Sequence, residues 1–125
     1  MVIIDTNVVI DHLRRSAKQS QLLRLLKTHP KETLGISIIS IQELYEGQST
    51  LDEEKEKDLL ATIAPLKIFP YTYEVAKKAG EIAQDLARAI ELADATIAAT
   101  AIIENANLFT LDKNDFKGIK NLITV

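Results

Sequence analysis

A chain of 125 residues with 46% apolar content is long enough to bury a core of its own, as one domain over residues 1–125, and too apolar for disorder. The absence of cysteine excludes disulfides and thiolate metal sites and points to a reducing cytoplasm. No apolar run approaches the roughly 20 residues of a membrane span, Asp5 and Asp11 interrupt any signal-like start, and 15 Lys and Arg against 18 Asp and Glu leave a net −3 that does nothing to attract a polyanion.

The first element is Val2-Ile3-Ile4, a β-branched run that reads as a buried strand, with Asp5, Thr6 and Asn7 directly after it. "NVVIDHL" reads as a helix that Asp5 can cap. Leu22, Leu23, Leu25 and Leu26 form one helical face closed by His29 and Pro30. "LGISI" at 34–38 is a second strand, and "SIQE" from Ser40 to Glu43 fits a capping box at the start of the next helix. Leu59, Leu60 and Ile63 mark a helix stopping at Pro65, and "LKIF" before Pro70 a third strand. Val75, Ala79, Ile82, Leu86 and Ile90 recur at helical spacing, with Lys77, Lys78, Glu81 and Asp85 between them, which predicts one long amphipathic helix. "ADATIAATAII" at 93–103 is apolar on nearly every face and rich in small residues, so it belongs in the interior, close against the sheet. "NLFTL" at 107–111 and "NLITV" at 121–125 complete five strands.

Short strands alternating with helices predict an α/β sandwich, a parallel sheet with helices on both faces. Sites in such sheets form at the carboxyl ends of strands, near a topological switch point. Asp5 and Asp112 both follow apolar strands there. With them stand Glu43, Asp94 and Asp115, and each acid alone has a structural reading as a helix cap. Together, acids gathered on one sheet edge with no Lys or Arg in the same motifs repel one another, and hard divalent cations such as Mg²⁺ or Mn²⁺ relieve that repulsion. His12 and His29 fall outside the acidic blocks and read as ordinary surface or helix-end residues.

Asp5 with Thr6 and Asn7, Glu43 followed by Leu44 and Gly47, Asp94 in "DATIAATA", and "LFTLDKNDF", in that order, resemble a PIN domain. More narrowly they resemble the VapC-type ribonuclease toxins of prokaryotic toxin–antitoxin pairs. The likeness runs from Met1 to about Phe116, and the tract before Asp94, "ARAIELA", departs from it by lacking an upstream glycine. It implies a three-layer α/β/α sandwich with a central parallel sheet of about five strands and a pocket of acids holding Mg²⁺ or Mn²⁺. By that likeness Asp5, Glu43 and Asp94 are the pocket acids, and the fourth is Asp112, directly after its strand, with Asp115 as rival. Thr6, Asn7 and Thr110 match the polar residues that hold the acids. A cognate antitoxin, a homodimer and a cytoplasmic location are implied in the same way.

Hydrolysis of an RNA phosphodiester by a carboxylate-held metal requires no Ser, Cys or His nucleophile. Two bound divalent ions also turn the formal charge of −3 weakly positive, with the change concentrated in the pocket. Arg14, Arg15 and Lys18, with Lys113, Lys117 and Lys120, are candidate phosphate contacts or a solvated rim. Tyr45, Tyr71 and Tyr73 suit either subunit contacts or packing with a wet hydroxyl. Two other functions compete. A phosphatase using Asp5 as nucleophile wants a second Asp two residues on, where Asn7 stands. A non-catalytic interaction module of the same fold is expected to have lost one or more acids, and every block keeps its own.

Overall fold

The computed structural model describes residues 1–15 and 19–125. Four parallel strands, β1 (Val2–Ile4), β2 (Leu34–Ser37), β3 (Lys67–Phe69) and β4 (Asn107–Phe109), lie in the order β3-β2-β1-β4. Helices α1 (Thr6–Arg14), α2 (Gln21–Thr28), α3 (Ile38–Glu46), α4 (Glu53–Ile63), α5 (Tyr73–Asp85) and α6 (Leu92–Ile103) connect them. The chain steps outward from β1 to β2 to β3, then returns to place β4 on the far side of β1. Because parallel crossovers are right-handed, this reversal sends α1–α4 to one face and α5–α6 to the other.

The side-chain alternation of β1 divides the core accordingly. Val2 and Ile4 pack with Val8, Val9, Leu22, Leu25, Leu44 and Leu59 from α1–α4. Ile3 faces the opposite way, with Val75, Ala79 and Ile82 of α5 and the alanines of α6. Every residue of α6 from Ala95 to Ala101 is buried, the interior placement predicted from its all-round apolar, small-residue composition. At Gly35 the ring of Phe69 crosses β2 so closely that a Cβ there would stand 2.5 Å from Phe69 Cε2.

The expected sandwich is present, with three differences of detail. The fifth strand is a single bridge, Leu108 to Thr124, with Leu108 N–H donating to Ile123 and Val125 N–H to Leu108. Gly118, before the predicted run, and Asn121, its first residue, both take positive φ and turn the chain there. The long amphipathic helix ends at Asp85, with Leu86 as an extended C-cap. Leu86 and Ile90 still pack on the α5–α6 core, so their spacing reported burial and not helix. Finally, β2 leads straight into α3 through Ser37, whose hydroxyl accepts from Ile39 N–H. Ser40 and Glu43 therefore lie within α3, and the capping-box reading gives way to Ser37 as the N-cap.

Candidate active site

The switch point of this sheet lies between β1 and β4, and the residues leaving those strands begin the site. Asp5 leaves β1 and caps α1, accepting 2.7 Å from Thr6 N–H on Oδ1. Its other oxygen accepts from the Thr110 hydroxyl at 2.7 Å, just beyond β4. Thr110 Oγ1 in turn accepts from Asp112 N–H at 3.1 Å, while Asn7 Oδ1 accepts from Leu111 N–H at 3.3 Å. Asp5 is thus both a helix cap and the centre of a polar junction, and only 5% exposed.

Glu43 reaches this junction from α3. Thr6 Oγ1 lies 2.7 Å from Glu43 Oε1 and 2.8 Å from Ser40 Oγ. A hydroxyl has one hydrogen and an ionised carboxylate can only accept, so Thr6 donates to Glu43 and accepts from Ser40. Ser40 is fully buried and belongs to the site's support. Sequence reasoning assigned it to a cap; the available signal was that it precedes Glu43 by three residues, a helical neighbour on the same face.

The opposite wall comes from α6 and the turn after β4. Asp94 lies in the first turn of α6, whose N-cap residue is Glu91. Asp112 caps the 3₁₀ turn Lys113–Phe116, accepting from Asn114 N–H at 3.2 Å. Asp115, within that turn, lines a groove of about 260 Å³ with Arg88, Glu91 and Asp94. Arg88 closes this wall by donating to the carbonyls of Asp115 (3.0 Å) and Lys117 (2.8 Å), tying the turn to the segment between α5 and α6.

Electrostatics show which acids share a field. Burial pushes the Asp94 carboxyl up to about 7, with repulsion from Asp5, Asp115, Glu43 and Glu91 adding to it. Burial also raises Asp5, against the bonds from Thr110 and Thr6, and Glu43 and Asp115 push the same way. Asp115 is raised by burial and by Asp112 beside it, with Arg88 opposing. Asp5, Glu43, Asp94 and Asp115 therefore form one coupled group, which Glu91, unforeseen from sequence, joins through Asp94 and Asp115. Asp112 touches the group through Asp115. Among the described residues the ion pairs are Met1 to Glu32, Arg15 to Asp11 and Lys78 to Glu81, so no acid of the group is paired.

Crowded carboxylates in no ion pair, with Arg88 the one cation lining their groove among the described residues, are the donor set a hard divalent ion prefers. Among the described residues no three acids or histidines are gathered tightly enough to hold a metal ion by themselves. A divalent ion here would therefore have to be bound through one or two carboxylates, with waters completing its shell.

The remaining candidates lie around this centre. Arg14 is exposed and lines the cavity that Glu43 enters, whereas Arg15 is paired with Asp11; Lys113, Lys117 and Lys120 are exposed, and Lys18 lies outside the described residues. His12 sits 2.8 Å from Ser20 Oγ, but Ser20 is fully buried and caps α2, which gives the pair a structural role. His29 is an exposed helix end. Tyr45 donates to Glu56 at 2.7 Å, and Tyr71 and Tyr73 are exposed. Among the described residues no helix is long and apolar enough to cross a membrane.

Known proteins share this fold. The PIN domain family model matches residues 2–122. The plasmid stability protein StbB of Pseudomonas syringae pv. tomato is 30% identical over 129 aligned positions, covering 94% of this chain and 91% of that protein. A chain of the VapBC2 complex from Rickettsia felis, bound to a DNA fragment from its promoter, superposes with a TM-score of 0.87 at 27% identity, over 100% of this chain and 98% of that one. A chain of FitAcB from Neisseria gonorrhoeae does so with a TM-score of 0.78 at 26% identity, over 100% and 97%.

Proposed function

The chain belongs to the PIN domain family, and we propose that it is a metal-dependent endoribonuclease, the toxin of a toxin–antitoxin pair. The observation that carries this reading is the gathering of Asp5 and Glu43, joined through Thr6, with Asp94 and Asp115, which line one groove, at the sheet's switch point, in no ion pair among the described residues and with Asp94 pushed up to about 7. An arrangement of that kind is costly for a fold to keep without a cation to relieve it. The likeness to a VapBC2 chain supports a partner protein as antitoxin, and a homodimer acting in the cytoplasm goes with the same reading.

One or two of the carboxylates of Asp5, Glu43, Asp94 and Asp115, with waters completing the shell, would hold Mg²⁺ or Mn²⁺. Bound there, the metal shares charge with the phosphate oxygens and makes water more acidic. The chain's own residues prepare that chemistry. Thr6 and Thr110 fix both oxygens of Asp5, and Thr6 orients Glu43, so these two carboxylates keep their aim without help from solvent. Asp94, near its own pKa at neutral pH, would have to give up its proton to serve as a ligand. Asp115 is assigned as the fourth acid in place of Asp112, because it acts on Asp5 and Asp94 directly.

The test is cleavage of tRNA, ribosomal fragments and an unstructured RNA by the purified protein, with Mg²⁺, with Mn²⁺ and with chelator, beside Asp94→Asn. Cuts that require metal and vanish in the variant are expected. Full activity of Asp94→Asn, or the same cuts in chelator, overturns the assignment.

A further inference from the structure

On the α1–α3 side of the acids lies a cavity of about 220 Å³ that the proposed chemistry does not use. Ile10 and Leu13 of α1 form its apolar wall, Arg14 and Lys55 bring cations, Gln48 and Asp58 bring polar groups, and Glu43 stands where it meets the site. We infer that it holds one nucleotide of the RNA, the neighbour of the phosphate that is cut. This inference rests on the nuclease reading above.

Three observations favour that occupant. The first is size, since whole small-molecule sites run to roughly 300–1,000 Å³ and this cavity takes less, one base with its phosphate and not a duplex. The second is Lys55. It sits in the first turn of α4, at the positive end of a helix dipole, where a cation is disfavoured. Its neighbours Glu53, Glu54 and Glu56 offer partners, yet no ion pair forms among the described residues, and Lys55 lines the cavity with Arg14, also unpaired there. Two unpaired cations suit a phosphate. The third is continuity: Glu43 belongs both to the cavity wall and, through Thr6, to the hydrogen bonds around Asp5. A strand entering here leads directly to the acids. An unpaired base laid on Ile10 and Leu13 presents its edge to the Gln48 amide and the Asp58 carboxylate, the kind of contact that splayed single-stranded bases make.

The test compares the wild-type protein with Lys55→Ala, Lys55→Arg and Arg14→Ala. Lys55 and Arg14 are both exposed, and of Lys55 only the main chain is used by the Asp52 cap, so these changes leave the fold intact. Lys55→Ala is expected to raise KM for single-stranded RNA about tenfold, with kcat within about twofold. Lys55→Arg should recover most of the loss. The slope of log affinity against log salt, measured by anisotropy on labelled RNA in chelator, should flatten by about 0.7 for each cation removed. With adenosine 5′-monophosphate as probe, NMR should show the methyl groups of Ile10 and Leu13 shifting, and inorganic phosphate alone should not move them. RNA that is cut with unchanged KM in Lys55→Ala overturns this subsite and leaves the nuclease reading standing. Wild-type protein that neither binds nor cuts RNA overturns both. Loss of a partner polypeptide in Lys55→Ala, with RNA kinetics unchanged, assigns the cavity to protein docking and overturns the nucleotide.

Discussion

Asp5 and Glu43, on the α1–α3 side, take hydrogen bonds from Thr6 N–H, the Thr6 hydroxyl and the Thr110 hydroxyl, whereas burial and neighbouring charge alone account for the raised state of Asp94 on the opposite wall. Asp115 is positioned at one remove, by Arg88 on its main-chain carbonyl. One wall is pre-organised by protein donors, and the other keeps its carboxyl oxygens for something else. Hydrogen bonds to an ionised carboxylate stabilise it in place, while burial without them stores a proton that a cation can displace. The comparison therefore separates orientation, supplied by hydroxyls and main chain, from affinity, supplied by unrelieved charge.

Asp94→Asn breaks the unrelieved wall and should have the largest effect, lowering metal-dependent cleavage by more than about a hundredfold, since loss of even an outer partner of a metal site costs 10–100-fold. Stability should move the other way. A carboxyl raised from 3.8 to about 7 holds its proton more tightly in the fold than in the unfolded chain. Its contribution is full below the unfolded value and is lost as pH rises through the folded one. Asparagine has no such loss, so in chelator the variant's melting temperature should gain on wild type between pH 4 and 7 and stay parallel above about 7. A gap that is constant from pH 4 upward would place the perturbed carboxyl elsewhere.

The hydrogen-bonded wall is broken by Thr110→Val, nearly the same size without the hydroxyl. Asp5 Oδ2 then loses its donor and Asp112 N–H its acceptor. Cleavage should fall about 10–100-fold, as for other residues that orient ligands, and the loss of a buried partner should cost about 1–3 kcal/mol in a denaturant titration. Thr110→Ser restores the hydroxyl and should restore most of the rate. Activity that stays low in the serine variant would make the methyl contact, and not the donor, the important feature.

Arg88→Ala tests the weaker tether. Freed from the guanidinium, the carbonyls of Asp115 and Lys117 lose their tie to the α5–α6 segment. A several-fold fall in cleavage with a higher Mn²⁺ requirement is expected, smaller than for Thr110→Val because Arg88 grips main chain and not a carboxyl. An unchanged metal requirement would show that the turn keeps its place without the arginine.

How much of this was visible in sequence follows from the kind of structure each residue occupies. Asp5, Thr6, Asn7, Glu43 and Asp94 fall at the ends or on the faces of regular elements, where a period of two or 3.6 fixes direction, and order along the chain brings them to one sheet edge. Glu91 was hidden because the apolar spacing through Leu86 and Ile90 continued a helical pattern past Asp85, and an irregular segment that packs its apolar residues on the core gives the same signal. Ser40 was hidden by Ser37, three residues earlier, because a serine in either place can cap α3. The fifth strand shrank to one bridge because Asn121, the first residue of a run that composition alone reads as extended, takes positive φ, as does Gly118 just before the run.

Asp112 and Asp115 mark the limit of sequence reasoning, since they sit three residues apart in a tight turn and only the turn's orientation decides which one faces Asp94. In the structure Asp112 Oδ1 accepts from Asn114 N–H and its carboxyl touches Asp115, while Asp115 lines the groove beside Asp94 and raises it. Asparagine caps as well as aspartate, and Asp112 N–H still donates to Thr110 after the change. Asp112→Asn should therefore hold cleavage within about twofold of wild type, the smallest effect in the series. Asp115→Asn keeps the backbone and removes a charge from the coupled group, so it should fall with Asp94→Asn in metal requirement. The reverse order in a Mn²⁺ titration of the two variants would make the strand-end residue Asp112 the fourth acid.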